Sequence, residues 1–214
     1  HGLTEQLGFK EVDGIDYSNA RIVFQGVDGA NSQMAMKEYF GENANSFHVD
    51  TFRDAMEAIQ NGSANYAVLP IENSSAGFVT QSFDLLVEYD ACIVGEQIIK
   101  IDHALLGVKG ATKEEISIVY SHPQALMQCS DYLESHPNWS QKSFVNTATA
   151  AKKVMEDGLK NQAAIANIKT ADIYGLDVLE DTIQDNKDNY TRFIIVTSQK
   201  IFEKKAGKVS ICFE

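Results

Sequence analysis

Basic side chains are scarce in this sequence. Lysine and arginine number 18 against 30 aspartates and glutamates, a formal net charge of −12. That balance speaks against nucleic acid or an anionic membrane as partner, since both would be repelled. It leaves room for a small anionic ligand, because local donors can overrule the global field. Cysteine is sparse as well: Cys92, Cys129 and Cys212 are odd in number and form no C-x-x-C pair. Such usage reads as reduced, buried thiols in a cytoplasmic protein. His48, His103, His122 and His136 lack metal-ligand spacing, so no metal is expected. No apolar run is long enough to cross a bilayer, no signal-peptide pattern precedes the first strand, and there is no repeat or low-complexity segment. What is present is ordinary for a globular protein: 44% hydrophobic and 22% charged over 214 residues, enough for one large domain or two small lobes.

Short runs rich in Ile and Val recur along the chain. They fall at 21–26, 65–71, 92–101, 103–108, 116–121, 143–147, 162–167 and 192–198, and read as strands buried on both faces. Helical spacing lies between them. In "TFRDAMEAIQNG" the residues Phe52, Ala55, Met56 and Ile59 form one stripe at i, i+3, i+4 and i+7. Thr51 with Asp54 suits a capped start, and Gly62 suits a stop. Helices are also expected in "SQMAMKEYFG", "VTQSFDLLVEY", "PQALMQCSDYLESH", "TATAAKKVMEDG" and "IKTADIYG". This alternation implies an α/β fold with mainly parallel sheets and helices on both faces.

Four strand-to-helix turns carry the polar residues: "FQGVDGANS", "LPIENSSAGFV", "YSHPQAL" and "VNTATAA". Ligands of open α/β sheets bind at the carboxyl ends of parallel strands. Helix N-termini there offer unpaired N–H groups that attract anions without Lys or Arg. Taken singly, each turn is just a capped helix, because Ser, Thr and Asn are ordinary N-cap residues. "GVDG" lacks the spacing of a P-loop, Pro123 suits a helix start, Arg192 can pair with Glu72, and His122 can be structural. The joint occurrence is the stronger signal.

In order, "FQGVDGANS", "AVLPIENSSAGFV", "VYSHPQALMQCSDYL", "TATAAKKV", "AAIANIKTADIYGL" and "NYTRFIIV" resemble the prephenate dehydratase catalytic domain. The likeness runs from about Arg21 to Ser198, and "PIENSS", "SHPQAL" and "TRF" are its most specific pieces. Asn31 departs from the pattern, standing where the family usually has an aromatic residue before Ser32. The resemblance implies a two-lobed fold like type II periplasmic binding proteins, with the active site in the cleft between lobes. Residues 21–100 and 185–203 would form one lobe, and 101–184 the other. The lead-in, residues 1–20, would be a linker or upstream remnant, such as the tail of a linker from a chorismate mutase domain. Residues 207–214, "KVSICFE" with its preceding Gly, would begin a truncated ACT domain, so that L-phenylalanine regulation is expected only with the rest of that domain.

The implied activity is that of a carbon–oxygen lyase: decarboxylative dehydration of prephenate to phenylpyruvate in L-phenylalanine biosynthesis, without a cofactor, in a homodimer or homotetramer. Alternatives are arogenate dehydratase and a non-catalytic small-anion sensor of the same fold. By motif match, Thr191 is the catalytic hydroxyl. Asn73, Ser74, Ser75, Ser121, Gln128, Thr147 and Thr149 are expected to bind substrate, the last two while capping a helix. Gln124 and Gln128 are expected to share a helix face. Arg192 is expected either to bind a substrate carboxylate or to orient Thr191. Glu72 is the carboxylate expected to help proton transfer.

Overall fold

The structure, a computed structural model, describes residues 17–198. The chain divides into two compact units. The described residues of the first are 17–26, 31–99 and 190–198, and those of the second are 27–30 and 100–189. Short of residues 17–20, the expected lead-in lies outside the described residues, as do 199–203 and the expected regulatory strand at 207–214.

The first unit is built on one six-stranded sheet, in the order β2–β1–β3–β11–β5, with β4 also paired to β3. The strands are β1 (Arg21–Gln25), β2 (Asn45–Val49), β3 (Tyr66–Asn73), β4 (Gly77–Phe78), β5 (Ala91–Lys100) and β11 (Tyr190–Ser198). Strand alternation divides its core in two. Val23, Ala67, Leu69, Ile71, Ile194 and Val196 meet one face, together with Met56 and Ile59 of α2 (Phe52–Gln60) and Leu85 and Leu86 of α3 (Thr80–Glu88). Ile22, Phe24, Tyr66, Val68, Phe193 and Ile195 meet the other, with Met34 and Met36 of α1 (Asn31–Phe40). The stripe expected in α2 is therefore its buried face, and Thr51 Oγ1 accepts from the Asp54 N–H at 3.0 Å to cap it.

The second unit holds a five-stranded sheet, β10–β6–β9–β7–β8. Its strands are β6 (His103–Gly107), β7 (Ile118–Ser121), β8 (Ser140–Ser143), β9 (Gln162–Asn167) and β10 (Asp177–Glu180). Helices α6 (Thr147–Asp157) and α7 (Thr170–Tyr174) pack on one face through Ala150, Ala151, Val154 and Ala171. Helices α4 (Pro123–Gln128) and α5 (Ser130–Glu134) pack on the other through Ala125, Cys129 and Leu133. The turn at 27–30 is anchored here: Tyr174 donates its hydroxyl to Asp28 O, and Gly29, at φ +92°, lies against Thr170. Among the described residues no helix is long and apolar enough to cross a membrane.

Several sequence expectations shift. The sheets are mixed rather than mainly parallel, because β11 runs antiparallel to β3, and β6 runs antiparallel to both β9 and β10. The strand expected at 143–147 is instead β8, an edge strand exposed along its length with no apolar pattern, while Thr147 already opens α6. The helix expected over "PQALMQCSDYLESH" breaks at Cys129 (φ −112°, ψ 22°). Asp185 causes the second start: its carboxylate accepts from Ser130 Oγ at 2.9 Å and from the Asp131 N–H at 3.2 Å. Cys129 is a buried free thiol with its pKa pushed up by burial to about 12, whereas Cys92 is disulfide-bonded, against the expectation of reduced thiols throughout.

One glycine is a packing requirement. A Cβ on Gly95 would lie 2.3 Å from Tyr39 Oη and 2.7 Å from Cζ. Tyr39 has little room to withdraw, because Tyr17 and Phe40 meet its ring edge-on at 5.7 and 4.9 Å. Gly95→Ala is expected to lower stability by about 1–3 kcal/mol through overpacking. Urea unfolding should show a lower midpoint with an unchanged slope.

Candidate active site

The polar residues singled out by the sequence fall into two groups, one on each unit. In the first unit they meet where β3 and β11 pair. Thr191 lies opposite Asn73 and Arg192 opposite Glu72. Between Arg192 and Phe193 the register shifts by one residue, so that Phe193 lies opposite Pro70 and Ile71 is the extra residue of a β-bulge.

Successive strand residues point to opposite faces, and the contacts follow that rule. On one face the Thr191 hydroxyl donates to Asn73 Oδ1 at 2.7 Å. This is the ordinary length of an O–H···O bond and short for one from an amide N–H. Thr191 is buried at 7% exposure. On the other face Arg192 donates from Nη1 to Glu96 Oε2 of β5 at 3.2 Å and from Nε to Glu72 Oε1 at 3.5 Å. Tyr190 donates its hydroxyl to the same Glu72 oxygen at 3.1 Å, and its ring lies 5.6 Å from the guanidinium. Burial works against the charge on Arg192, but the hydrogen bonds to Tyr190, Glu96 and Glu72 outweigh it and raise the pKa further. Arg192 thus pairs with Glu72, as the sequence allowed, and also with Glu96, clamping β3 and β5 from the face opposite Thr191. Glu72 is held in the same clamp rather than beside the threonine.

The Ser74–Ala76 turn joins β3 to β4. Ser74 Oγ accepts from the Tyr190 N–H at 2.8 Å, while the Ser74 N–H donates to Tyr190 O at 3.0 Å. That reciprocal pair locks the start of β11 to the end of β3. Ser75 is exposed.

In the second unit the expected residues separate. Ser121 is fully buried, and its hydroxyl donates to Ile165 O at 2.7 Å, fastening β7 to β9. His122 caps α4, its Nδ1 accepting from the Gln124 N–H at 3.1 Å. Asn146, not Thr147 or Thr149, caps α6: its Oδ1 accepts from the Thr149 N–H at 2.7 Å. Thr147 and Thr149 are half-buried residues of the first helical turn. Gln128 ends α4, so the break at Cys129 leaves it and Gln124 only one shared turn. Its side chain meets His103, with Oε1 2.7 Å from Nε2, and its carbonyl accepts from the Asp185 N–H at 2.8 Å. No site role was expected of His103, Asn146 or Asp185. An Asn immediately before "TATAA" was a legible cap signal; the other two are brought in by tertiary contacts.

Chemically, the first unit offers an uncharged hydroxyl–amide pair next to a closed ionic cluster. The second offers an amide and a helix N-terminus. Such groups suit an anionic substrate bearing a hydroxyl.

Comparison with known proteins agrees with this chemistry. The prephenate dehydratase family model matches residues 22–201. "Arogenate dehydratase/prephenate dehydratase 1, chloroplastic" of Arabidopsis thaliana is 40% identical over 200 residues, covering 92% of this chain and 50% of that protein. The bifunctional chorismate mutase/prephenate dehydratase of Escherichia coli K12 is 35% identical over 204 residues, covering 93% of this chain and 53% of that protein. Thus the chain spans about half the length of the curated relatives it matches. Among solved structures, the prephenate dehydratase of Arthrobacter aurescens in complex with L-Phe superimposes with a TM-score of 0.77 at 30% identity, covering 83% of this chain and 60% of that one. With a family match over most of its length, the chain belongs to the prephenate dehydratase family.

Proposed function

We propose that the chain catalyses the conversion of prephenate to phenylpyruvate, with loss of water and carbon dioxide, in aromatic amino-acid biosynthesis. The observation that carries this reading is the Thr191–Asn73 pair, a buried hydroxyl held at 2.7 Å by an amide within the "TRF" and "PIENSS" motifs. The reaction breaks the C–O bond of the ring hydroxyl and the C–C bond to the ring carboxylate. One proton, taken up from solvent, must reach the departing oxygen for water to form, and aromatisation supplies the driving force.

An aliphatic hydroxyl is too weak an acid to supply that proton outright. Thr191 therefore acts as a positioned donor. Its O–H turns from Asn73 Oδ1 to the departing oxygen, stabilising the charge that develops there. Until that turn the bond to Asn73 holds the hydroxyl in place. Gln128, Thr147, Thr149 and Ser75 are proposed as substrate donors on the motif match. Arg192 is proposed as a clamp that takes no part in binding a substrate carboxylate, because Glu72 and Glu96 occupy it. Arogenate is the alternative substrate, supported by the double name of the Arabidopsis relative. L-Phenylalanine regulation is proposed only where an ACT domain accompanies this chain, supported by the L-Phe complex of the Arthrobacter structure.

The deciding experiment mixes the protein with prephenate, and separately with arogenate, and follows the aromatic product. Turnover of neither would leave a binding module of the same fold. If the reading holds, Thr191→Ala loses about 10²–10³-fold in kcat, and Thr191→Ser retains more of the rate than Ala does. Arg192→Met behaves differently: it leaves two half-buried carboxylates facing each other and costs about 2–3 kcal/mol of stability. KM of the folded Arg192→Met fraction should stay near the wild-type value; a large rise in KM without loss of stability would return Arg192 to the substrate.

A further inference from the structure

Three parts of the second unit meet at one buried imidazole. His103 opens β6 at 5% exposure. Its N–H donates to Gln184 Oε1 at 3.1 Å, and its carbonyl accepts from the Ile183 N–H at 3.0 Å. Its Nε2 lies 2.7 Å from Oε1 of Gln128, the last residue of α4, whose own carbonyl accepts from the Asp185 N–H at 2.8 Å. The residue therefore closes β6, α4 and the segment 183–185 on one another. The second ring nitrogen, Nδ1, is buried and has no hydrogen-bond partner among the described residues.

A neutral imidazole has one N–H and one bare nitrogen, whereas an imidazolium has two N–H donors to place. The mismatch for the charged ring is the same whichever way the Gln128 amide is turned. With the amide oxygen toward the ring, Nε2 carries the hydrogen and an added proton goes to Nδ1, where no acceptor meets it. With the amide NH2 toward the ring, Nδ1 carries the hydrogen and a proton added on Nε2 meets another donor. Either way a charged N–H is left buried and unpaired, which is costly.

Nearby charges do not make up for it. Asp102, just before His103, favours the charged ring, and its carboxylate already accepts from Thr182 Oγ1 at 3.3 Å. On the return segment Asp185 is engaged by Ser130 Oγ and the Asp131 N–H, and Lys187 donates to the carbonyls of Thr182 and Gln184. Asp181 and Asp188 are exposed, as are Asp131 and Glu134 of α5. β10 ends at Glu180, which accepts from Tyr132 and Lys113. β9 presents the uncharged Asn167 opposite His103, and Lys169 beyond it has the wrong sign to help. α4 carries no charge, and burial keeps Cys129 an uncharged thiol. Desolvation by burial thus outweighs Gln128 and Asp102 and lowers the His103 pKa.

We infer that His103 is an acid-sensitive latch of the second unit: neutral, it holds β6, α4 and 183–185 together, and its protonation releases them. The latch is independent of the reaction proposed above. The folded state disfavours a proton that the unfolded chain takes up near about pH 6.5, so stability is full above that pH and falls as the pH drops. One such group lowers the folding equilibrium constant by up to about tenfold per pH unit, until the pH reaches its folded-state value.

The test is urea unfolding of wild type and His103→Leu between about pH 7.5 and about pH 5.5. Leucine fills the place without a titratable nitrogen, and the other acids and histidines are common to both proteins, so their contributions cancel. Over that range the folding equilibrium constant of wild type is expected to fall about five- to tenfold more than that of His103→Leu. A difference of less than about two-fold overturns the inference.

Long-range 1H–15N NMR of folded wild type reads the ring directly, and it decides the matter if His103→Leu does not fold. His103 should be neutral at about pH 6, where histidines of the protein unfolded in urea are mostly protonated. An imidazolium at His103 under those conditions overturns the inference.

Discussion

Everything proposed for the first unit depends on a single extra residue in β3. From Phe193 onward, β11 pairs with β3 in the register Phe193–Pro70, Ile194–Leu69 and Ile195–Val68. Continued without interruption, that register would set Arg192 against Ile71 and Thr191 against Glu72. Ile71 bulges instead, is fully buried, and moves each later pair by one residue. Thr191 thereby meets an amide rather than a carboxylate. The difference is chemical: an ionised carboxylate would accept the threonine proton more strongly and would put a negative charge next to an anionic substrate. The bulge also brings Arg192 to Glu72, which keeps charge on one face and the hydroxyl on the other.

The bulge stands where the chain re-enters the first unit. Residues 100–189 form most of the second unit, and Tyr190 is the first residue back. A strand returning after so long an excursion is slow to find its register by local contacts, because one slipped residue exchanges its faces. Two features pin it. Tyr190 exchanges backbone and side-chain bonds with Ser74, and Arg192 bridges Glu72 and Glu96. Downstream, Ile194 and Val196 seal one core and Phe193 and Ile195 the other. The "TRF" motif thus joins a register lock to the hydroxyl proposed as catalytic.

The sequence was informative wherever burial wrote a period into it. The Phe52–Ile59 stripe, the run 162–167 and the Ile/Val run after Arg192 each became the element expected. It was silent or displaced where burial is weak: β2 and β8 lie at sheet edges, and β4 has two exposed residues. Motif resemblance pointed to Thr191 and Asn73 without their contact, since the pairing depends on the bulge at Ile71. His103 illustrates the converse. A lone histidine in an apolar strand reads as core, and its hydrogen bond to Gln128 is visible only in the fold.

The shortage of cations now has a structural counterpart. Arg192, next to the "TRF" threonine in sequence, is matched by two carboxylates. The groups left for an anion are hydroxyls, amides and helix N–H groups, which attract without a full charge. For the proposed reaction this is an advantage. The ring carboxylate gives up its charge as carbon dioxide leaves, so an ion pair there would hold the ground state more firmly than the transition state and slow the step. The departing oxygen gains charge, so a donor aimed at it is felt most where it is needed. A chain with net charge −12 and its nearby arginine already neutralised is arranged to favour the second interaction over the first.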